Sequence, residues 1–199
     1  IFLLNQLLAL KKFCDIRVVF PYAYVPRVWV FKSYGFSNVP AKEMIKGIEV
    51  HHPKYFMFPR FAFVRKFINI FLVIESIFSY FASKKIIDSI MKEWNPDIVH
   101  MHGSLNEGLI GARYKRKYKK PLLSTVYGED ITKLSKEFLS AYLTKFTLSK
   151  TDAIICQSKF LQTQIEELKL PERRFFVIPM GVLTSSFSPK DINKSRNAL

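Results

Sequence analysis

Six short apolar runs recur along the chain, each bounded by proline, glycine or polar residues, with helix-like stretches between them. The runs are "DIRVVFP" (15–21), "KGIEVHHP" (46–53), "PDIVHMH" (96–102), "PLLSTVYG" (121–128), "DAIICQS" (152–158) and "RFFVIP" (174–179). Several are apolar throughout instead of alternating with polar residues, as strands buried on both faces require. The intervening stretches repeat apolar residues every three or four positions, the period of an amphipathic helix. One runs from about 65 to 93. "NEGLIGARYKRKYKK" (106–120) sets Leu109, Ala112 and Tyr114 near one face and cations on the other. "SKEFLSAYLTKFTLSK" (135–150) carries Phe138, Leu139, Tyr142, Leu143 and Phe146 at helical spacing, and "SKFLQTQIEELKL" (158–170) opens on Ser158 as an N-cap. Strand and helix in regular alternation predict an α/β fold: a doubly wound, Rossmann-like parallel sheet with flanking helices. Residues 22–40, with their aromatics and prolines, read as an excursion over the strand ends.

In such a sheet, chemistry gathers at the carboxyl ends of the strands. His102, Gly103 and Ser104 stand at one such end, and Tyr127, Gly128, Glu129 and Asp130 at the next. Their two loops are expected to be neighbours. Gly103 lets the backbone turn sharply toward a ligand, and the helix opening near Asn106 directs its amide end at the same place, which suits an oxygen-rich ligand. Glu107 falls in that helix's first turn and also complements its dipole; Asp130 also suits a helix cap.

His100 and His102 lie two apart and so share one face of a strand, which makes a metal site a reading to weigh. The following "GSLNEG" adds only Glu107 as a third ligand, so the expectation is no metal. His100, inside the strand, reads as a core histidine with a satisfied hydrogen bond. His102, at the strand end, is the functional candidate.

Charge narrows the partners. Lysine and arginine number 31 against 16 acidic residues, a net +15. Such an excess suits nucleic acid, an anionic membrane surface or phosphorylated substrates, or else a plainly solvated basic face. No nucleic-acid motif appears, and no nucleic-acid partner is expected. Two cysteines, Cys14 and Cys156, have no ligand spacing and read as reduced thiols. The most apolar run, "FINIFLVIESIFSYFA", is interrupted by Glu75 and is shorter than the roughly 20 residues of a membrane span. "IFLLNQLLAL" has no basic flank before it and no cleavage site after it, so the chain reads as entering within a helix.

Four blocks then stand in order: "PDIVHMHGSLNEGLIGA", "KPLLSTVYGEDI", "TDAIICQSKFLQTQIEEL" and "FFVIPMGVLTSSFSP". Together, over about residues 96 to 189, they resemble the N-terminal half of a family 4 glycosyltransferase of the GT-B fold. The resemblance implies a Rossmann-like acceptor-side domain over 1–189 whose first strand is missing, then the start of an interdomain segment over 190–199. It implies a separate C-terminal domain, absent here, that holds a nucleotide-sugar as co-substrate, and no further cofactor. It implies sugar transfer to a cell-surface glycan or lipid-linked acceptor, retaining and metal-independent. The fragment alone would be inactive, and the protein would lie in the cytoplasm at the inner membrane face. Tyr127 and Asp130 would then be catalytic, with His102, Gly103, Ser104, Glu107 and Gly128 binding substrate. Two positions depart from the family pattern: Tyr127 replaces a histidine, and Leu183 an aspartate. A phenol with an ordinary pKa near 10 is a poor base at neutral pH, though it can hydrogen-bond a sugar. The aromatic and basic segments "KSYGF" and "FMFPRFAFVRK" either rest on an anionic membrane or pack an aromatic core. Three rival readings remain: a basic module that binds membrane or nucleic acid by charge, a metal-dependent hydrolase built on the histidine pair, and a GT-B protein of another kind, such as a sugar-nucleotide epimerase.

Overall fold

The computed structural model describes residues 2–24, 39–58, 68–128, 131, 138–171, 174–182 and 184. Arg17–Pro179 forms one compact unit; Ile1–Ile16 and Met180–Leu199 group as a second. Within the second, α1 spans Phe2–Leu10.

The larger unit opens with parallel strands that proline interrupts. β1 (Arg17–Val19) pairs in parallel with β4 (Ile48–His51), and β2 (Tyr22–Tyr24) with β5 (Lys54–Phe56). Pro21 and Pro53 supply no N–H to the ladder, so the ribbon breaks between the two pairings. Two backbone bonds carry it across the break, Phe20 N–H to His51 O at 2.8 Å and Tyr22 N–H to Pro53 O at 2.9 Å. Sequence foresaw neither β2, which opens the stretch read as an excursion, nor β5, nor β3 (Lys42–Ile45), which runs antiparallel to β4 through a turn at Lys46 and Gly47, both at positive φ. Its "KEMI" pattern is too polar and too short for an apolar run to reveal it.

A separate four-stranded sheet carries the candidate site. Its order is β6 (Val99–His102), β7 (Leu122–Val126), β8 (Ala153–Cys156), β9 (Arg174–Val177), and every pairing is parallel. The crossovers include α3 (Asn106–Tyr118), α4 (Phe138–Leu148) and α5 (Lys159–Glu166), while α2 (Ile68–Glu93) precedes β6. Ile154, Cys156, Val126, Leu161, Ile165 and Leu148 form a buried cluster between the sheet and its helices. A smaller one joins Met91 of α2 to Ile110 and Tyr114 of α3. Cys14 and Cys156 are both free thiols, and burial pushes Cys156 up to about 11.

Ser158 caps α5, its Oγ accepting from Leu161 N–H at 3.2 Å. Replacing it with alanine is expected to cost about 1 kcal/mol, measurable as a lower urea midpoint. An unchanged midpoint would mean that the cap contributes nothing.

Two helices turn their aromatic rows outward. On α4 the residues that bury are Ser140, Thr144, Thr147 and Leu148, whereas Phe138 is 89% and Tyr142 62% exposed. The row that sequence spacing assigns to an apolar face thus meets solvent, with Leu139 and Leu143 half-buried beside it. On α2, likewise, Glu75, Ser76, Ser79 and Ser83 are buried while Ile77, Phe78 and Phe81 are exposed. Small hydroxyl side chains permit close helix approach and can be satisfied by their own helix. Ser76 Oγ donates to Leu72 O and Ser83 Oγ to Ser79 O. Gly108 of α3 completes the approach to α4: a Cβ there would stand 2.2 Å from Thr147 Cγ2. The buried Glu75 carboxylate accepts the Phe58 N–H at 3.0 Å, so the charge that interrupts the apolar run is tied to the chain leaving β5.

Candidate functional site

Parallel register places the two loops side by side. Met101 pairs with Ser124 and His102 with Thr125. The chain then continues as the strand would for one more bond, Gly103 N–H donating to Thr125 O at 2.9 Å. From the other side Ser124 Oγ donates to Gly103 O at 3.3 Å. Gly103 has φ +121°, a conformation for which L side chains are unsuited, and a Cβ there would meet Glu107 Oε2 at 2.8 Å. Glycine is therefore required at this turn by its backbone, since the Glu107 carboxylate could swing away from an added Cβ.

Across the strand ends, His102 Nδ1 and the Tyr127 hydroxyl stand 2.8 Å apart. Two strand positions back, His100 Nε2 and Thr125 Oγ1 are also 2.8 Å apart, the satisfied core histidine expected from its place in the strand. The two imidazoles lie on one face with ring centroids 4.2 Å apart. Burial, with His102 adding a smaller effect, pushes His100 down to about 4; burial does the same to His102. Both rings are therefore neutral at pH 7. In the tautomer protonated at Nε2, Nδ1 accepts the hydrogen bond from the Tyr127 hydroxyl and Nε2–H is left as a donor.

The remaining residues fall at different depths. Ser104 is fully buried, its hydroxyl without a hydrogen-bond partner among the described residues. Leu105, which has no polar side chain, occupies the N-cap of α3. Glu107 lies in the first turn of α3 and is exposed as a residue. Crowding around its carboxyl removes hydration and raises its pKa; a hydrogen bond from its own backbone, and the solvent that still reaches it, work against that rise. Gly128 is exposed, with open space where a side chain would stand. Asp130, Glu129 and Leu183 lie outside the described residues, as do 32–36 and 59–66 of the aromatic and basic segments. The described part of the second segment packs: Phe58 lies 4.7 Å from Phe71 and 5.2 Å from Phe56, centroid to centroid. No group of three His, Cys, Asp or Glu side chains able to hold a metal occurs among the described residues.

The pairing of His102 with Tyr127 is the feature that sequence reading placed in the right region without its bond. Adjacency of the loops followed from strand order. The bond itself needs the register, which sets which side chains meet.

Comparison with known proteins speaks to family and fold. A family model described as Glycosyltransferase Family 4 matches residues 27–186. An uncharacterised glycosyltransferase of Methanocaldococcus jannaschii is 31% identical over 83 residues, which are 42% of this chain and 24% of that protein. The solved sucrose-phosphate synthase of Thermosynechococcus elongatus superposes with a TM-score of 0.58 at 12% identity, covering 81% of this chain and 40% of that one. At that identity the likeness speaks to the fold. The chain spans less than half the length of either protein.

Proposed function

We propose, from the premise that this chain belongs to glycosyltransferase family 4, that it is the acceptor-side domain of an enzyme that moves a sugar from a nucleotide-sugar to a cell-surface glycan or lipid-linked acceptor. In this reading the donor is held by a facing second domain, transfer retains configuration and needs no metal, and the present chain alone is inert. The protein works in the cytoplasm at the inner membrane face. The observation that carries the reading is the hydrogen-bonded pair of His102 and Tyr127 at adjacent ends of parallel strands. It puts two neutral groups where a doubly wound sheet places its ligands, and neutral donors and acceptors suit sugar hydroxyls.

His102 serves as a positioning donor more than as a base. A base works best with a pKa near the working pH, and burial holds this imidazole near 4. Tyr127, in the place of the family's histidine, orients that ring and offers its oxygen to the same ligand. Gly103 and Gly128 keep backbone close to the bound sugar, Glu107 offers a carboxylate, and Asp130 supplies a second acid beyond Gly128.

With the full-length protein and a nucleotide-sugar, His102→Ala and Tyr127→Phe should each lower kcat/KM about tenfold or more, the scale of one lost hydrogen bond to ligand. Because the two share a bond, the double variant should lose less than the product of the single losses. Circular dichroism melts should show both variants folded. Wild-type kcat/KM in both would remove the pair from the site.

A further inference from the structure

We propose that the face made by α2, α3 and α4 is a docking surface for anionic phospholipid at a bilayer surface. It lies away from the His102–Tyr127 pair and does not depend on the sugar-transfer reading. A groove of about 810 Å³ runs across α3 between the other two helices. Its walls are the outward-turned rows already described: Ile77 and Phe81 from α2, Phe146 from α4, with Leu109 and Ala112 of α3 beneath. Phe81 is 63% exposed, and Tyr142 and Phe138 extend the Phe146 row along α4. Two neighbouring helices that bury hydroxyls and present phenylalanine form one apolar surface, which a soluble monomer rarely leaves uncovered.

The charges choose the occupant. Among the described residues the groove is lined by Arg113, Lys115, Arg116, Lys119 and Lys150 against a single carboxylate, Asp152. Asp152 is already engaged, bonding Lys115 and accepting the Leu122 N–H. Two of the cations lie over rings of the same groove, Arg113 5.0 Å from the Tyr80 centroid and Lys150 5.5 Å from that of Phe146. Cations beside aromatics at the edge of an apolar strip match the boundary between phosphate headgroups and acyl chains. A second copy of this chain is a poor occupant, since a self-complementary contact would set five cations against five, on a chain of net +15. No described helix is long and apolar enough to cross a membrane, so the surface would lie on the bilayer.

The groove also has a defined place. Lys119 precedes β7 and Asp152 precedes β8, so its basic end lies at the amino rim of the sheet, while His102 and Tyr127 follow their strands at the carboxyl rim. Seated this way, the protein keeps its candidate site clear of the lipid.

Sedimentation of the full-length protein with vesicles tests the surface. Phosphatidylcholine vesicles containing about one third phosphatidylglycerol should carry the protein down at low salt, and pure phosphatidylcholine vesicles should not. Binding should fall steeply as salt shortens the Debye length. Arg116→Gln with Lys119→Gln should weaken partitioning on the order of tenfold, and so should Phe81→Ser with Phe146→Ser. Lys159→Gln with Lys169→Gln, an equal charge loss away from the groove, should leave it near wild type. Equal loss in both charge pairs would mean that overall charge alone binds, and the proposal falls. It also falls if no anionic vesicle binds, or if the phenylalanine pair acts instead by abolishing a dimer seen in light scattering.

Discussion

Acidification from pH 7 to pH 4 is expected to cost the folded domain several kcal/mol, at most about 6, through His100 and His102 alone. Both are held near 4 in the folded state, against an ordinary 6.5. Between those values the unfolded chain binds protons that the native chain refuses. Unfolding therefore takes up protons, and lower pH favours it. The stabilising contribution is full above about 6.5 and is lost progressively as pH falls toward 4. Glu107 acts in the opposite sense, because its raised folded pKa makes the native state the better proton binder. Glu49 lies mostly outside this window. Hydrogen bonds from Lys42, then His51, hold it near 2, so its stabilisation is lost only as pH falls from 4.5 toward that value. Urea midpoints at pH 7, 6, 5 and 4 would show the fall directly. His100→Gln can still hydrogen-bond Thr125 but cannot titrate, so its profile should be visibly flatter between pH 6.5 and 4. A wild-type midpoint that does not change over that range would contradict the burial of both rings.

Gly111→Ala is expected to destabilise the domain by about 1 to 3 kcal/mol, although alanine is the better helix former by about 1 kcal/mol. A Cβ at Gly111 would stand 2.0 Å from Met101 Sδ and 2.7 Å from Met101 Cγ, with Leu122 Cδ1 at 3.2 Å. Met101 is buried at the strand position just before His102, so the displaced side chain has the sheet behind it. The explanation is specific enough for a double-mutant cycle. Met101→Ala alone should cost about 2 to 5 kcal/mol through the cavity it leaves. On that background Gly111→Ala should be neutral or stabilising, because the new methyl enters vacated space. Additive effects would show that the helix and strand are not locked together at this point. The single variant should also disturb His102, giving lower kcat/KM than its stability loss explains.

The alternation of strand and helix from 96 to 179, its parallel sheet and the adjacency of the two loops were legible in the amino-acid sequence. Alternating apolar runs and helix-length spacers admit few topologies, and consecutive crossovers place consecutive strands together. The requirement for Gly103 was legible too, since a strand end that turns at once into a helix needs such a backbone. Ser158 declared its helix by the chemistry of capping. Each of these is local or nearly so, and local sterics read the same in a string of letters as in a fold.

Tertiary structure alone decided what each side chain meets. Periodicity shows that α4 has an aromatic row, but packing chose to bury Ser140, Thr144 and Thr147, because small side chains let α3 approach at Gly108. The "KEMI" strand exists because β4 offered it an antiparallel edge. Register brought the His102 ring to the Tyr127 hydroxyl and the His100 ring to Thr125, partners 25 residues away in sequence. Residue type determined which groups were able to bond. The alignment of two strands determined which of them did, because a hydrogen bond demands a distance that only the folded chain supplies.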